Sequence, residues 1–308
     1  MNIALGEVHP QGLPDFAEYV GRVGSDFSGF SRLALLSRQL DEAGTESVVI
    51  DMMLIDWFDA NMCAPLGALL YRAIRRGGSV SLANLRTEPH HDVRGIFLRN
   101  GFLARFGQVG EPDTYGTTVE YSRFEVDQER TFAEYADAVL KGVHVPKMTV
   151  ALRKWMMESV CEVFGNAVAH SRTQCGIHAC GQYYRSRHRL DFSVADVGIG
   201  IHGSVGEKSG QAVPATEAIQ WAVSGQNTTR TGSVPGGVGL KRLREFITLN
   251  KGRMQIASGD GYWELSANRE SVSEMENSFP GTVVNLEFDA ADKRSFCLQS
   301  ELTPNKVL

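Results

Sequence analysis

The sequence predicts an α/β protein in two parts. Stretches with apolar residues at helical spacing alternate with short β-branched runs, the pattern of a layered α/β fold. A turn-rich break holds Gly107, Gly110, Pro112, Asp113 and Gly116, a natural domain boundary. The length of 308 residues suits two domains, and 43% hydrophobic with 22% charged residues excludes a disordered or fibrous chain. The first domain is therefore set at 1–112, with residues 1–30 unassigned, and the second at 113–308.

The elements follow in order. From Ser31 to Gly44, Leu33, Leu36 and Leu40 fall at helical spacing. Ser47-Val48-Val49-Ile50-Asp51 reads as a buried strand. A helix from Ala64 to Arg76 sets Leu66, Leu69, Leu70 and Ile74 on one side and stops at Gly77-Gly78. Ser79 to Asn84 is another strand, and His91 to Asn100 a short helix ended by Gly101. In the second part, Thr117 to Val126 reads as a strand and Thr131 to Leu140 as a helix. A long helix runs from Lys147 to His170, with Pro146 placed where a first turn tolerates proline. Leu190 to Ala195 is an apolar strand, and a helix opens at Gly239. Residues 202 to 235, rich in Gly, Ser and Thr, read as one long loop, which in a compact domain needs a functional reason.

Composition narrows the function. A net charge of −5 argues against a dedicated nucleic-acid binder. No apolar run is long enough for a membrane helix, and the N-terminus shows no signal-peptide pattern. Five scattered cysteines suit a reducing cytoplasm, so the expected location is cytoplasmic and no membrane partner is expected.

Three motifs carry chemistry. On the Lys147–His170 helix, Glu162 and Asn166 stand four apart and so share a face. An amide oxygen can hold Mg²⁺, which prefers hard oxygen ligands, and a carboxylate can take a proton from an attacking water or hydroxyl. The same pair alone also describes any exposed helix face, and Glu158, one turn back, fits either use. Next, the strand ending at Ala195 delivers Asp196 into a turn with Gly198 and Gly200. An aspartate at a pocket mouth can accept from an exocyclic amine such as that of adenine, although Asp-x-Gly is also an ordinary turn. Last, Gly236, Gly237 and Gly239 stand immediately before a helix with Leu240, Leu243, Phe246 and Ile247 at helical spacing. Free N–H groups at such a helix start cradle phosphate. Lys241 is either a phosphate contact or a solvated helix lysine, and no Gly-x-x-x-x-Gly-Lys-Ser/Thr run is present.

In order and spacing, the three motifs from Lys147 to Phe288 resemble the GHKL superfamily of ATPases. The resemblance implies a GHKL (Bergerat) α/β sandwich with helices on one face of a mixed sheet. It implies Glu162 as the catalytic base and Asn166 as the magnesium ligand. It also implies Asp196 on the adenine amine with Gly198 and Gly200, and Gly237, Gly239 and Leu240 at the phosphates. Thr282 would lie near the adenine, and Thr228, Thr229 and Arg230 would belong to a lid closing over the nucleotide. ATP and Mg²⁺ are the implied cofactors.

The first part, from about Glu46 to Phe106, resembles a STAS domain, the fold of bacterial anti-sigma-factor antagonists. The resemblance rests on the strand ending at Asp51, the turn Asp59-Ala60-Asn61, the leucine-rich helix and the following strand. Phosphorylatable members carry a serine just after the turn aspartate. Ala60 and Asn61 stand there, which argues for a docking module rather than a phospho-switch.

Together the resemblances imply an ATP-hydrolysing regulatory switch whose Mg-ATP state controls docking of a protein partner, and they leave a homodimer open. A serine/threonine kinase of the anti-sigma type and a non-hydrolysing nucleotide-binding regulator are the alternatives. Cys175, His178 and Cys180, with His170, suggest metal ligands at first sight, but their spacing is poor for zinc. His90-His91 reads as a helix start, and Tyr183 to Arg189 as a basic hairpin.

Overall fold

The computed structural model describes residues 4–6, 21–88, 92–224 and 238–302. Its first half contains β1 (Ala4–Gly6), β2 (Gly21–Val23), α1 (Phe27–Ala43), β3 (Ser47–Asp51), β4 (Ile55–Phe58), a 3-10 turn (Ala60–Met62), α2 (Cys63–Arg75), β5 (Ser79–Ala83) and α3 (Val93–Arg99). β1, β5 and β3 form a parallel sheet in that order, and β2 pairs with β4 alongside. α1 begins four residues before the leucine pattern because the Asp26 carboxylate accepts the Gly29 N–H at 2.9 Å, a side-chain cap. The helix expected from His91 starts at Val93, capped by Asp92; His90 and His91 lie outside the described residues.

The second half contains β6 (Thr118–Phe124), α4 (Glu129–Lys141), α5 (Val150–His170), β7 (Ile177–Tyr184), β8 (Arg189–Asp196), α6 (Gly200–Ser209), α7 (Ala215–Val223), α8 (Gly239–Asn250), β9 (Arg253–Ser266) and β10 (Arg269–Asp289). Thr149 caps α5 by accepting the Leu152 N–H, so Pro146 lies upstream of the first turn instead of within it. The stretch expected as one loop, 202–235, is corrected in its first part. Residues 202–224 hold α6 and α7, and α7 buries Ala215, Ala218, Ile219 and Val223 at helical spacing. Residues 225–237, with Thr228, Thr229, Arg230 and Gly237, lie outside the described residues.

The second-half sheet runs β6-β7-β8-β10-β9 and is antiparallel at every pairing, which corrects the expected mixed sheet. The reason is connectivity. β7–β8 and β9–β10 are hairpins, and short turns can join only antiparallel neighbours. At the second hairpin both turn residues, Ala267 and Asn268, have positive φ (49° and 62°), the twist-matched geometry of a two-residue turn.

Helices cover both faces of this sheet. Along β8, Leu190, Phe192 and Val194 point to one side, where they pack with Phe132, Phe164, Leu243 and Phe246 of α4, α5 and α8. The alternate residues Ser193 and Ala195 face the first half, as do Val283 and Asn285 of β10. There, Cys175, Cys180, Ala195, Ala257 and Val283 share one apolar cluster with Phe30, Leu66 and Leu70 of α1 and α2. Tyr262 of β9 meets Phe27 and Phe30 of α1, with ring centroids 5.4 and 5.8 Å away. Tyr184 of the basic hairpin accepts the Ala60 N–H at 3.0 Å. The boundary expected at 112/113 falls in the irregular segment before β6; the second half has a core of its own, and the first half shares its core with the back of the second-half sheet. Among the described residues no helix is long and apolar enough to cross a membrane.

Candidate functional site

α5 carries Asn166, which is half-buried, and the ends of β8 and β10 bring Asp196 and Thr282 to the same cavity. These residues, with Gly200 at the start of α6 and Leu240 at the start of α8, line one cleft that is partly open to solvent. Val163, Ala167, Val194, Val284, Ile201 and Trp221 make most of the wall apolar. This is the usual make-up of a small-molecule site, an apolar cleft with a few convergent polar groups.

Asp196 is the most constrained polar group in it. The residue is 4% exposed, and its Oδ1 has no hydrogen-bond partner among the described residues. Burial pushes its carboxyl up to about 8, opposed by a hydrogen bond from the Thr282 backbone. The partner strand is also fixed by polar contacts. Ser258 Oγ donates to Gly281 O at 2.8 Å and accepts the Ile201 N–H at 2.8 Å. Its one proton is thus used, and Thr282 Oγ1, 3.1 Å away, is the donor toward it.

The remaining expected residues fall around the rim. Gly200 has φ +70°, a left-handed turn that swings the chain from β8 into α6. Gly198 does not line the cavity: a Cβ there would sit 2.0 Å from Ser171 O, and the same turn binds Ser171 O through the Ile199 N–H at 2.8 Å. Glu162 does not line it either. It packs against the first residue of α8, where a Cβ on Gly239 would lie 2.8 Å from Glu162 Oε2. The acid and the glycine-bearing helix start are therefore adjacent, one turn of α5 from Asn166. Glu158 is tied elsewhere, to Arg242 at 3.5 Å, whose guanidinium lies 5.1 Å from the centre of the Trp155 ring. Reading the sequence missed Trp221 and Ser258, which come from α7 and β9, two elements that carry no motif.

No protein-family model matches this chain, and no curated protein matches it. One solved structure similar to it is the histidine kinase domain from Erythrobacter litoralis EL346 blue-light activated histidine kinase. It shares 12% identity over 85% of this chain and 95% of that one, with a TM-score of 0.26. A likeness that loose constrains neither fold nor site.

Of the metal-like cluster, Cys175, His178 and Cys180 are core residues and His170 lines the cavity. Among the described residues no group of three or more His, Cys, Asp or Glu is placed to hold a metal. His178 is buried, its Nδ1 2.7 Å from Tyr121 Oη and its Nε2 3.2 Å from Cys175 O. A carbonyl can only accept, so Nε2 carries the proton and Nδ1 accepts from the tyrosine. Burial, helped by nearby Arg123, holds His178 down to about 3, so it stays neutral. The unfolded chain takes up a proton near 6.5 and the folded chain does not. Stability is therefore complete above that pH and falls as pH drops through the window toward 3. The expected loss is roughly 2 kcal/mol between pH 6.5 and 5. Thermal unfolding at the two pH values checks it, and His178→Gln should remove this part of the acid sensitivity.

Proposed function

We propose that the cavity binds Mg-ATP and that the protein is an ATP-hydrolysing regulatory switch controlling the docking of a protein partner. One observation carries the nucleotide reading. Asn166, Asp196, Gly200, Leu240 and Thr282, drawn from the three motifs and the last strand, line one largely apolar cavity, and the Asp196 Oδ1 is buried beside it without a partner among the described residues. An exocyclic amine is a donor of the kind such an oxygen lacks, and the apolar walls suit a purine ring.

Asn166 would hold Mg²⁺ through its amide oxygen, the remaining positions being filled by phosphate oxygens and water. When bound, the ion supplies charge neutralisation at the phosphates. Glu162 sits beside the N-terminus of α8 and is the group on this chain to take a proton from an attacking water. The helix start at Gly239 offers N–H groups to phosphate oxygens. The switch part rests on the sheet. β8 and β10 present Asp196 and Thr282 to the cavity, while Ser193 and Asn285 of the same strands bond to Asn61 of the first half.

A calorimetric titration with ATP and ADP, with and without Mg²⁺, tests binding. Asn166→Ala should weaken Mg-ATP binding more than tenfold while affecting Mg-free ADP little. Glu162→Gln should keep binding and lower turnover by about 100-fold. Equal turnover in Glu162→Gln removes the base assignment. Following label from γ-labelled ATP separates the reactions: free phosphate means hydrolysis, labelled partner means kinase activity, and neither means a binding regulator.

A further inference from the structure

One cleft lies outside the nucleotide cavity and shares none of its residues. It has about 960 Å³ of open space and is lined by Arg72, Arg75, Arg76, Arg172, Gln174 and Cys175, with Val197 at its edge. The two sites are back to back. Ser171 and Asp196 line the nucleotide cavity, and the next residue of each, Arg172 and Val197, lines the cleft. The last turn of α2 brings Arg72, Arg75 and Arg76 to one side, at i, i+3 and i+4. Arg172 and Gln174 come from the turn between α5 and β7, so the cleft is built by both halves of the molecule.

The charges there do not cancel. Asp41 pairs with both Arg72, at 3.0 Å, and Arg76. Arg172 pairs with Glu207 at 2.8 Å, but both side chains are well exposed, and an exposed pair of this kind holds weakly. Arg75 donates to the neutral Gln174 Oε1 at 3.4 Å, and among the described residues no carboxylate lies within ion-pair distance of it. Four guanidiniums thus face two carboxylates, in a chain whose net charge is −5. A cation or two at the end of α2 is explained by the helix dipole, but Arg172 is not on that helix. Arg172 also has φ +55°, a left-handed backbone that glycine would adopt without strain. A long charged side chain kept at that position points to use of its guanidinium.

We infer that this cleft binds a phosphate monoester dianion, held by Arg75, Arg172 and Gln174 and flanked by Arg72 and Arg76. The two uncompensated positive charges match the roughly −1.5 to −2 of such a group at neutral pH. Planar guanidinium forks suit phosphate oxygens better than ammonium groups do, and no lysine lines the cleft. A bound dianion would clamp α2 to the turn that borders the nucleotide cavity. None of this depends on the nucleotide reading.

The test titrates the full chain at low salt with inorganic phosphate, free phosphoserine, and a phosphoserine peptide beside its glutamate counterpart. Saturable binding is expected, weakened about tenfold by Arg75→Gln and by Arg172→Gln. Arg75→Lys should restore only part of it, because lysine lacks the fork. Equal affinity for phosphate, phosphoserine and peptide identifies a small phosphorylated ligand. A phosphopeptide held at least tenfold tighter than phosphoserine and its glutamate counterpart identifies a phosphorylated protein segment. Arg172→Gly separates binding from structure, since it should raise the melting temperature while weakening binding. The inference is overturned if no probe binds saturably, or if the arginine variants bind as the parent does, which would place the anion in the Asn166 cavity.

Discussion

Asp196→Ala is expected to cost about 100-fold in affinity for adenine nucleotides and to erase most of the preference for adenine over guanine. Asp196 lines the cavity and its buried Oδ1 has no partner among the described residues, so a bound amine would complete it and an alanine would leave the amine unbonded. Guanine presents a carbonyl oxygen where adenine presents that amine, and against the ionised carboxylate, the form present above about pH 8, two acceptors repel. Sites built to hydrogen-bond one group reject an analogue without it by roughly 10⁴-fold. Competition titrations with adenine and guanine nucleotides on parent and variant check both numbers. A variant that still prefers adenine as strongly as the parent would end the assignment of Asp196.

The same carboxyl sets a pH dependence. In the free protein burial holds it at about 8, so it is largely protonated at pH 7. An amine that donates to it favours the ionised form, so binding releases a proton. Affinity should rise with pH up to about 8 and then level off. Asp196→Asn should be flat over that range. Folding responds in the opposite direction. The folded protein binds the proton more tightly than the unfolded chain, so stability is complete below 3.8 and is lost as pH rises toward about 8. Asp196→Asn is therefore expected to melt higher than the parent at pH 8 while binding adenine nucleotides less well, the trade expected of a residue kept for a ligand.

How much of this was legible differs by element. β3, α2, β5, α5, β8 and α8 stand out because each buries one stripe or lies wholly inside, so their apolar period survives in the sequence. β9 does not. Both its faces are covered, and Met254, Gln255, Ile256, Ala257 and Ser258 are all buried, which erases the alternation by which a half-exposed strand is known. α6 was hidden by Gly203 and Gly206, and α7 by its position in a Gly- and Ser-rich stretch. At the site, motif residues could be named because glycine and acid spacing carries chemical meaning. Trp221 and Ser258 have no such signal. The deepest limit was the second face of the sheet. Ser193, Gln255 and Asn285 are polar strand residues with no apolar pattern to mark them as core, and only the packing of the first half shows them to be buried.

Asn61→Leu is expected to destabilise the whole chain by about 3–5 kcal/mol, although it replaces a polar residue with an apolar one of similar size. The sequence marks Asn61 only as a residue standing near a turn aspartate. In the structure it is fully buried and closes a ring of hydrogen bonds between the halves. Its Nδ2 faces Ser25 Oγ at 2.8 Å, Ser193 Oγ at 3.0 Å and Asn285 Oδ1 at 2.9 Å. Ser193 Oγ donates to Asn285 Oδ1 at 2.8 Å, and Asn285 Nδ2 donates to Gln255 Oε1 at 2.7 Å. Gln255 Nε2 returns to the first half by donating to Ser25 O at 2.6 Å. Ser25, Asn61, Ser193, Gln255 and Asn285 are each at most 1% exposed, so water cannot replace a lost partner. Removing Asn61 strands several groups at once, each costing about 1–3 kcal/mol, whereas Ser193→Ala removes a single hydroxyl and should cost nearer 1 kcal/mol. Denaturant unfolding of Asn61→Leu, Ser193→Ala, Asn285→Leu and the Asn61→Leu, Asn285→Leu double variant decides the matter. The double variant should cost much less than the sum, because once the ring is broken its second member has little left to lose. Additive losses, or an Asn61→Leu change below about 1 kcal/mol, would show that apolar packing alone joins the halves, and the strands carrying Asp196 and Thr282 would then have no polar link to the domain on their other face.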